Sequence, residues 1–175
     1  MKLYYVMGSP NCRKVHAVVN HTELKVDFEY MDFFTGDLQS PAYRAINPNA
    51  MVPALADGEF KLWESNAIMQ YLADAAGADA LFPREPKRRA DVQRWLAWEL
   101  AHFNKALGIL SFESVAKPTF LKMQPNDALV AISKADLARF APVLDAHMAG
   151  RKFVSGDALT IADYAMIHLE SFKDA

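Results

Sequence analysis

This sequence has very little cysteine and no long apolar run, and each shortage excludes a class of protein. Cys12 is the one cysteine among 175 residues, so the chain has neither an internal disulfide nor a pair of redox thiols. So little cysteine is typical of a reducing compartment. No stretch reaches the roughly 20 apolar residues of a membrane span, and the apolar start is too short for a secretory signal. We therefore expect a cytoplasmic protein that does not enter a membrane.

The sequence also lacks a large excess of charge of either sign. The 19 basic and 21 acidic residues give a formal net charge of −2, and no basic stripe of the kind that binds nucleic acid is present. The five histidines stand at spacings that do not fit a metal site, so no metal is expected. Hydrophobic residues make up 52% of the chain, which is enough for a core without metals or disulfides.

The order of the predicted elements divides the chain into two domains. Strands and helices come first in the order β-α-β and then β-β-α, with an Asp57-Gly58 hairpin turn joining the last two strands. The strands are predicted over 2–7, 26–31, 52–56 and 60–63, and the helices over 10–21, 42–46 and from 64 onward. We expect an α/β domain over residues 1–77, a linker rich in proline over 78–87, and an all-helical domain over 88–175.

Two long helices and a capping box are predicted in the second domain. Apolar residues recur at helical spacing from 88 to 115, and the segment from Pro118 to Pro125 interrupts the pattern. Asn126 or Asp127 can cap the next helix, which extends to 148. Thr160 and Asp163 have the spacing of a capping box, which is a folding element and not a catalytic one.

A hydroxyl stands at the first strand-to-helix junction. Gly8-Ser9-Pro10 ends the first strand and places Ser9 at the N-terminus of the first helix. The helix dipole favours negative charge there, so a thiolate held at this point is stabilised, and the Ser9 hydroxyl can donate to it. Taken alone, this segment favours the simpler reading that Ser9 only caps the helix.

Two further segments offer contacts to a peptide-like ligand. Pro53 at the start of a strand suggests a cis bond, which turns the backbone of Val52 outward, or else an edge strand. Glu64 and Ser65 stand at the start of another helix, where the helix N-terminus can hold a carboxylate and Glu64 can pair with an ammonium group. Capping by Ser65 is the simpler reading of that segment.

Together these segments resemble the cytosolic glutathione S-transferases over nearly the whole chain. The helix start Ser9-Pro10-Asn11-Cys12-Arg13 is similar to that of the family's serine-type classes (theta, delta, phi and bacterial relatives). The run from Asn47 to Leu55, followed by Leu62 to Ile68, is similar to the family's most specific signature. The resemblance implies an α/β thioredoxin-like N-terminal domain followed by an all-α C-terminal domain.

The resemblance also implies an activity, the conjugation of glutathione to a small hydrophobic electrophile. Ser9 would be the catalytic residue and would donate a hydrogen bond to the glutathione sulfur. Val52 would pair with the cysteinyl backbone, while Glu64 and Ser65 would hold the γ-glutamyl end. The remaining expected glutathione contacts are Gln39, Met51 and Asn11. Reduction of peroxides by the same bound thiolate is a side activity that the resemblance allows.

Other expectations from the family concern the second domain and the assembly. We expect Met7, Trp98 and His102 to line the electrophile pocket, at a cleft between the domains, and the protein to be a homodimer. The family continues past the helix that the capping box starts, whereas this sequence ends at Ala175. The helical domain is therefore expected to be incomplete at its C-terminus.

Two positions depart from the family pattern. The loop Asp37-Leu38-Gln39-Ser40 has no histidine or lysine for the glycine carboxylate of glutathione, which leaves Gln39 as the donor. Met51 stands where a lysine is frequent. The sequence fits two outcomes. Glutathione binding is weak, or Arg13 or a partner subunit supplies the missing positive charge.

Three other functions compete with conjugation. The same fold can hold glutathione or apolar ligands without turnover, or serve as a structural module for protein contacts. A disulfide reductase is disfavoured because Cys12 has no partner, and its expected role is to fill the core.

Overall fold

The computed structural model describes residues 1–168, which fall into two compact units divided between Arg84 and Glu85. The first unit contains four strands: β1 (Lys2–Tyr5), β2 (Asp27–Tyr30), β3 (Ala54–Asp57) and β4 (Phe60–Trp63). Its helices are α1 (Pro10–Thr22), α2 (Pro41–Arg44) and α3 (Ser65–Ala75), and a 3₁₀ turn spans Asp37–Gln39.

The strands form one sheet in the order β2-β1-β3-β4. β1 pairs with β2 in parallel, whereas β3 is antiparallel to both β1 and β4. This arrangement is the β-α-β and β-β-α order predicted from the sequence, and it is a thioredoxin-like sheet.

Helix α1 begins where the sequence predicts and covers the sheet with one apolar face. The Ser9 side chain caps it and Pro10 occupies the first turn, where a missing N–H is harmless. Val15, Val18 and Val19 are buried on the face that packs against α3. The helix ends at Thr22, and the next residue, Glu23, adopts a left-handed conformation with φ 54°.

Two details of the sheet differ from the sequence prediction. The hairpin turn consists of Gly58 and Glu59, one residue later than predicted, because Asp57 already pairs with Phe60. Gly58 supplies the positive φ of 56° that the turn requires. All residues of β2 are exposed despite the alternating pattern of 26–31, because β2 is an edge strand that its neighbours cover only partly.

The second unit consists of helices joined by loops in its described part. One continuous helical stretch is divided by two wider π-helical turns, Glu99–Phe103 and Phe112–Ala116. Its regular segments are α4 (Pro86–Trp98), α5 (Asn104–Ser111) and α6 (Lys117–Phe120). The helices α7 (Asp127–Met148) and α8 (Ile161–Ala165) follow. Among residues 1–168, no helix is long and apolar enough to span a membrane.

The first helical stretch is longer than the sequence predicts. It begins at Pro86, where the carboxylate of Glu85 accepts hydrogen bonds from two backbone N–H groups. At the other end it continues past Pro118 to Phe120. The π-helical turn just before this proline widens the helix, which leaves room for a ring that would clash in a regular helix.

The predicted capping box is present at α8. The Asp163 carboxylate accepts from the Thr160 backbone N–H at 2.8 Å and from the Thr160 hydroxyl at 3.0 Å. Its other oxygen accepts from the Val154 N–H at 2.7 Å. Asp163 therefore joins the start of α8 to the loop that follows α7. The predicted continuation of the helical domain over residues 169–175 lies outside the described residues.

We expect Asp163→Ala to lower the free energy of unfolding by about 2 kcal/mol, because three donors lose one acceptor group. The measurement is urea unfolding followed by tryptophan fluorescence. Asp157→Ala is the matched control, since Asp157 is exposed, and we expect a change within about 0.5 kcal/mol. Equal effects of the two substitutions would contradict the capping role.

Candidate active site

Segments far apart in the sequence meet at a small polar pocket of about 60 Å³ in the first unit. The pocket is lined by Asn11, Asn47, Asn49, Met51, Val52, Pro53, Glu64 and Ser65. Five of the expected glutathione contacts are in this set, and two others, Ser9 and Gln39, are not. Asn47 and Asn49 are members that the sequence analysis missed, since Asn47-Pro48-Asn49 predicted only a turn.

Ser9 lies at the N-terminus of α1. Its hydroxyl oxygen accepts the Cys12 N–H at 3.3 Å, so Ser9 caps the helix. The same hydroxyl lies close enough to the Cys12 thiol to lower its pKa. Ser9 is partly exposed, so it caps the helix without being closed off from solvent.

Cys12 is buried one turn inside α1, with 2% of its surface exposed. Burial raises the pKa of its thiol, because the charged thiolate is poorly solvated there. The Ser9 hydroxyl and the Val6 backbone both lower the pKa of this thiol, but their effects are smaller than that of burial. The chain's own thiol therefore stays protonated at neutral pH and is a poor nucleophile.

The carbonyl of Met51 is held by two hydrogen bonds. The Tyr43 hydroxyl donates to it at 2.6 Å, and the Asn47 side-chain amide donates at 2.7 Å. The other atom of the Asn47 amide accepts from the backbone N–H and the side chain of Asn49, each at 3.0 Å. Asn47 is thus a buried anchor for the loop that leads into β3.

The bond between Val52 and Pro53 is cis, as the sequence suggested. Val52 lies just before β3, which begins at Ala54, and it lines the pocket. Within residues 1–168, no hydrogen bond is found to the backbone N–H or C=O of Val52. Both groups are therefore available to an extended peptide that pairs with this segment.

Glu64 and Ser65 form the third side of the pocket. Glu64 adopts φ 72° and ψ 111° just before α3, a conformation that non-glycine residues rarely adopt outside functional sites. It occupies the N-cap position but makes no side-chain capping bond, so its carboxylate is not used to cap the helix. Ser65 is the first helical residue, so the simpler reading of Ser65 as the cap is wrong.

Ser65 also joins the N-termini of α1 and α3. Its hydroxyl donates to the side-chain oxygen of Asn11 at 3.4 Å, across 54 residues of sequence. The positive ends of two helix dipoles therefore meet at this pocket, where they favour an anionic ligand.

A cation that the sequence analysis missed lies beside the loop before α2. Leu38 is buried in a small core with Met31, Tyr43 and Ala54. Gln39 is exposed, and its side-chain oxygen accepts a hydrogen bond from the guanidinium of Arg44. The sequence of this loop contains no cation, but the folded chain brings the guanidinium of Arg44 beside it.

Of the residues expected at the electrophile pocket, Met7 belongs to the first unit, and Trp98 and His102 belong to the helical unit. Met7 is 76% exposed, two residues before Ser9. In the helical unit, the rings of Trp98 and His102 lie 6.5 Å apart, and His102 stacks on Phe140 at 4.5 Å. Among residues 1–168, no cluster of three or more metal-ligating side chains is found.

A thioredoxin-like unit with a cis-proline beside a polar pocket, followed by a helical unit, defines a class of two-domain proteins that share the glutathione S-transferase fold. The family model for the glutathione S-transferase N-terminal domain matches residues 3–80, and that for the C-terminal domain matches residues 110–170. Glutathione S-transferase 3 of Zea mays is 34% identical, over 93% of this chain and 73% of that protein. The chain belongs to the glutathione S-transferase family.

Other relatives give the same result. A glutathione S-transferase of Hyoscyamus muticus is 33% identical, over 93% of this chain and 77% of that protein. The solved structure of a theta-class glutathione S-transferase from Xanthomonas axonopodis pv. citri, with glutathione bound, is 32% identical with a TM-score of 0.82, over 98% of this chain and 79% of that one. Glutathione transferase F7 of Populus trichocarpa is 23% identical and shares the fold, with a TM-score of 0.89 over 99% of this chain and 83% of that one.

The setting of Cys12 generates a prediction about reactivity. We expect the folded protein to react very slowly with a thiol reagent such as 5,5′-dithiobis(2-nitrobenzoate), because Cys12 is buried and protonated. In urea one thiol per chain should react at once, since the chain has one cysteine. Fast reaction of the folded protein, measured by absorbance of the released thiolate, would contradict this assignment.

Proposed function

We propose that this enzyme conjugates glutathione to a small hydrophobic electrophile, with Ser9 stabilising the glutathione thiolate. The observation that supports this most directly is the polar pocket, where the unpaired backbone of Val52 lies beside Glu64, Ser65 and Asn11. These groups are complementary to a peptide that carries an α-amino acid group at one end. The membership of the family supports the same ligand.

In the proposed binding mode, the cysteinyl backbone of glutathione pairs with the N–H and C=O of Val52, as an added strand does. The carboxylate of the γ-glutamyl group lies at the N-terminus of α3 and accepts from Ser65. Its ammonium group pairs with the carboxylate of Glu64. Asn11 and the Met51 segment complete the walls around this group.

Ser9 acts on the sulfur in this proposal. Without a bound thiol, its hydroxyl lies near the Cys12 thiol, which is a weak acceptor. A glutathione thiolate carries a full negative charge and is the stronger acceptor. The dipole of α1 adds to the same effect, so the pKa of the bound thiol falls below the ordinary value of about 8.5. The electrophile is then held beside a ready nucleophile.

The glycine carboxylate of glutathione is proposed to bind Gln39 and Arg44. Arg44 donates to the side-chain oxygen of Gln39, which leaves the amide N–H groups of Gln39 to donate to a ligand. The guanidinium supplies the positive charge that the sequence of this loop lacks. The roles of Met7, Trp98 and His102 at the electrophile, and the homodimer, stay predictions.

We expect Ser9→Ala to lower kcat/KM for glutathione and 1-chloro-2,4-dinitrobenzene by about 100-fold, the loss seen when one donor to a reacting anion is removed. The dissociation constant for glutathione should change little. At saturating glutathione, the pH profile of kcat/KM for 1-chloro-2,4-dinitrobenzene should move to higher pH, because the bound thiol has lost a donor that lowered its pKa. Ser9→Thr, which keeps the hydroxyl, should retain most of the activity.

Asn126→Ala is the control for general loss of a helix cap, because Asn126 caps α7 in the helical unit. We expect it to lower stability while leaving the pH profile in place. Glutathione binding without turnover, with no effect of Ser9→Ala, would favour the non-catalytic binding protein instead. No binding at millimolar glutathione would exclude both functions.

Arg44→Gln should weaken glutathione binding by about tenfold, as expected for the loss of one charge-assisted contact. The same substitution should leave the affinity for γ-glutamylcysteine unchanged, because that dipeptide has no glycine. Isothermal titration calorimetry with both ligands measures the difference. Arg13→Gln is the comparison, since Arg13 is exposed on α1, and a selective loss there instead of at Arg44 would contradict this assignment.

A further inference from the structure

The peptide group between Met51 and Val52 contains both the anchored carbonyl and the N–H that is proposed to meet glutathione. This peptide bond is trans. A trans peptide is planar, so its C=O and its N–H point in opposite directions. Whatever fixes the direction of the Met51 carbonyl therefore also fixes the direction of the Val52 N–H.

Tyr43 holds this carbonyl from the core of the first unit. Its hydroxyl donates to the Met51 oxygen at 2.6 Å. Tyr43 is 2% exposed, and its ring packs edge-on against that of Tyr4, with the ring centres 5.7 Å apart. A side chain packed in a core in this way is confined to one rotamer, so the hydroxyl stays in one place.

The Tyr43 hydroxyl also stays protonated. Burial raises its pKa above the ordinary value, because a phenolate would be poorly solvated there. The hydroxyl is therefore a donor at every pH at which conjugation is assayed. The Asn47 amide donates to the same oxygen at 2.7 Å. Two donors on one carbonyl polarise the peptide group, which makes its N–H a stronger donor in turn.

We propose that Tyr43 is a positioning residue for glutathione, which aims the Val52 N–H at the cysteinyl carbonyl of the bound peptide. In an antiparallel hydrogen-bonded pair the two residues exchange both N–H···O=C bonds, so Val52 donates to that carbonyl and accepts from the cysteinyl N–H. Tyr43 is not part of the pocket lining, and it acts through the peptide group of Met51 and Val52. This role rests on the proposed function and adds a residue to it.

Tyr43→Phe tests this role, because it removes the hydroxyl and keeps the buried ring. We expect the dissociation constant for glutathione, measured by isothermal titration calorimetry, to rise about fivefold, as for the loss of one hydrogen bond. The value of kcat at saturating glutathione should stay within about twofold of that of the wild type, because the donor to the sulfur, Ser9, is unchanged.

Tyr71→Phe is the matched control in the same unit. The Tyr71 hydroxyl donates to the Asp57 carboxylate, also at 2.6 Å, and neither residue lines the pocket. We expect both substitutions to lower Tm, and only Tyr43→Phe to weaken glutathione binding. Equal losses of affinity in the two variants would show that they act through general stability and would overturn the positioning role.

A truncated ligand separates aiming of the Val52 N–H from a general distortion of the pocket. γ-Glutamylcysteamine keeps the γ-glutamyl group and the thiol but lacks the cysteinyl carbonyl, so this N–H has no acceptor on it. The two thiols are compared by kcat/KM, which can be measured without saturation. We expect Tyr43→Phe to lower kcat/KM for glutathione and to leave that for γ-glutamylcysteamine unchanged. Equal losses for both thiols would contradict the role.

Asn47→Asp is the second variant, and it decides the question if Tyr43→Phe does not fold. It keeps the oxygen that accepts from Asn49, and at neutral pH it replaces the amide donor to Met51 with an oxygen. Because this oxygen repels the carbonyl, we expect a larger loss of glutathione affinity than in Tyr43→Phe. The value of kcat/KM for γ-glutamylcysteamine should again be unchanged.

Failure of this role and failure of the proposed function give different results. No binding of glutathione to the wild type would overturn the proposed function, and the positioning role with it. Binding to the wild type with unchanged affinity in Tyr43→Phe and in Asn47→Asp would overturn the positioning role alone.

Discussion

The two hydrogen bonds to the Met51 carbonyl are the constraint on which the rest of the candidate site depends. Tyr43 and Asn47 both donate to this one oxygen, and Asn47 is itself fixed by Asn49. The backbone that follows is therefore held in one position as it enters β3. Val52 can offer its N–H and C=O to a ligand only because the residue before it is anchored. A pre-formed site of this kind binds without a large cost in ordering the loop.

The second constraint is the meeting of two helix N-termini. The bond from Ser65 to Asn11 brings the starts of α3 and α1 together, and Ser9 is two residues from Asn11. One helix end favours a carboxylate and the other favours a thiolate, so in the proposed binding mode the two ends of a γ-glutamylcysteine unit have separate partners. Glu64 keeps a conformation with φ 72° at this point. Such local strain is stable only where the surrounding structure fixes it.

Much of this could be predicted from the sequence because local signals carry it. Proline after Ser9 and apolar periodicity define α1, and the Val52-Pro53 and Glu64-Ser65 pairs mark two walls of the pocket. The errors have local causes too: the hairpin turn shifts by one residue, and Pro118 does not end its helix because a π-helical turn precedes it. Arg44 was missed because nothing in the sequence shows that its side chain turns back to Gln39. Asn47 was missed because its three hydrogen bonds exist only once the loop is folded.

The chain must also keep its own thiol from competing with its substrate. Cys12 lies three residues from Ser9, under the same helix dipole that is proposed to activate glutathione. Burial decides the difference, because desolvation raises the pKa of Cys12 more than the Ser9 hydroxyl lowers it. A thiol bound on the solvent side of Ser9 gains the hydroxyl and the dipole without the same loss of solvation. In the proposed reaction, one serine caps a helix and stabilises a bound thiolate while burial keeps the neighbouring cysteine protonated, so the depth of each sulfur determines which of them is ionised.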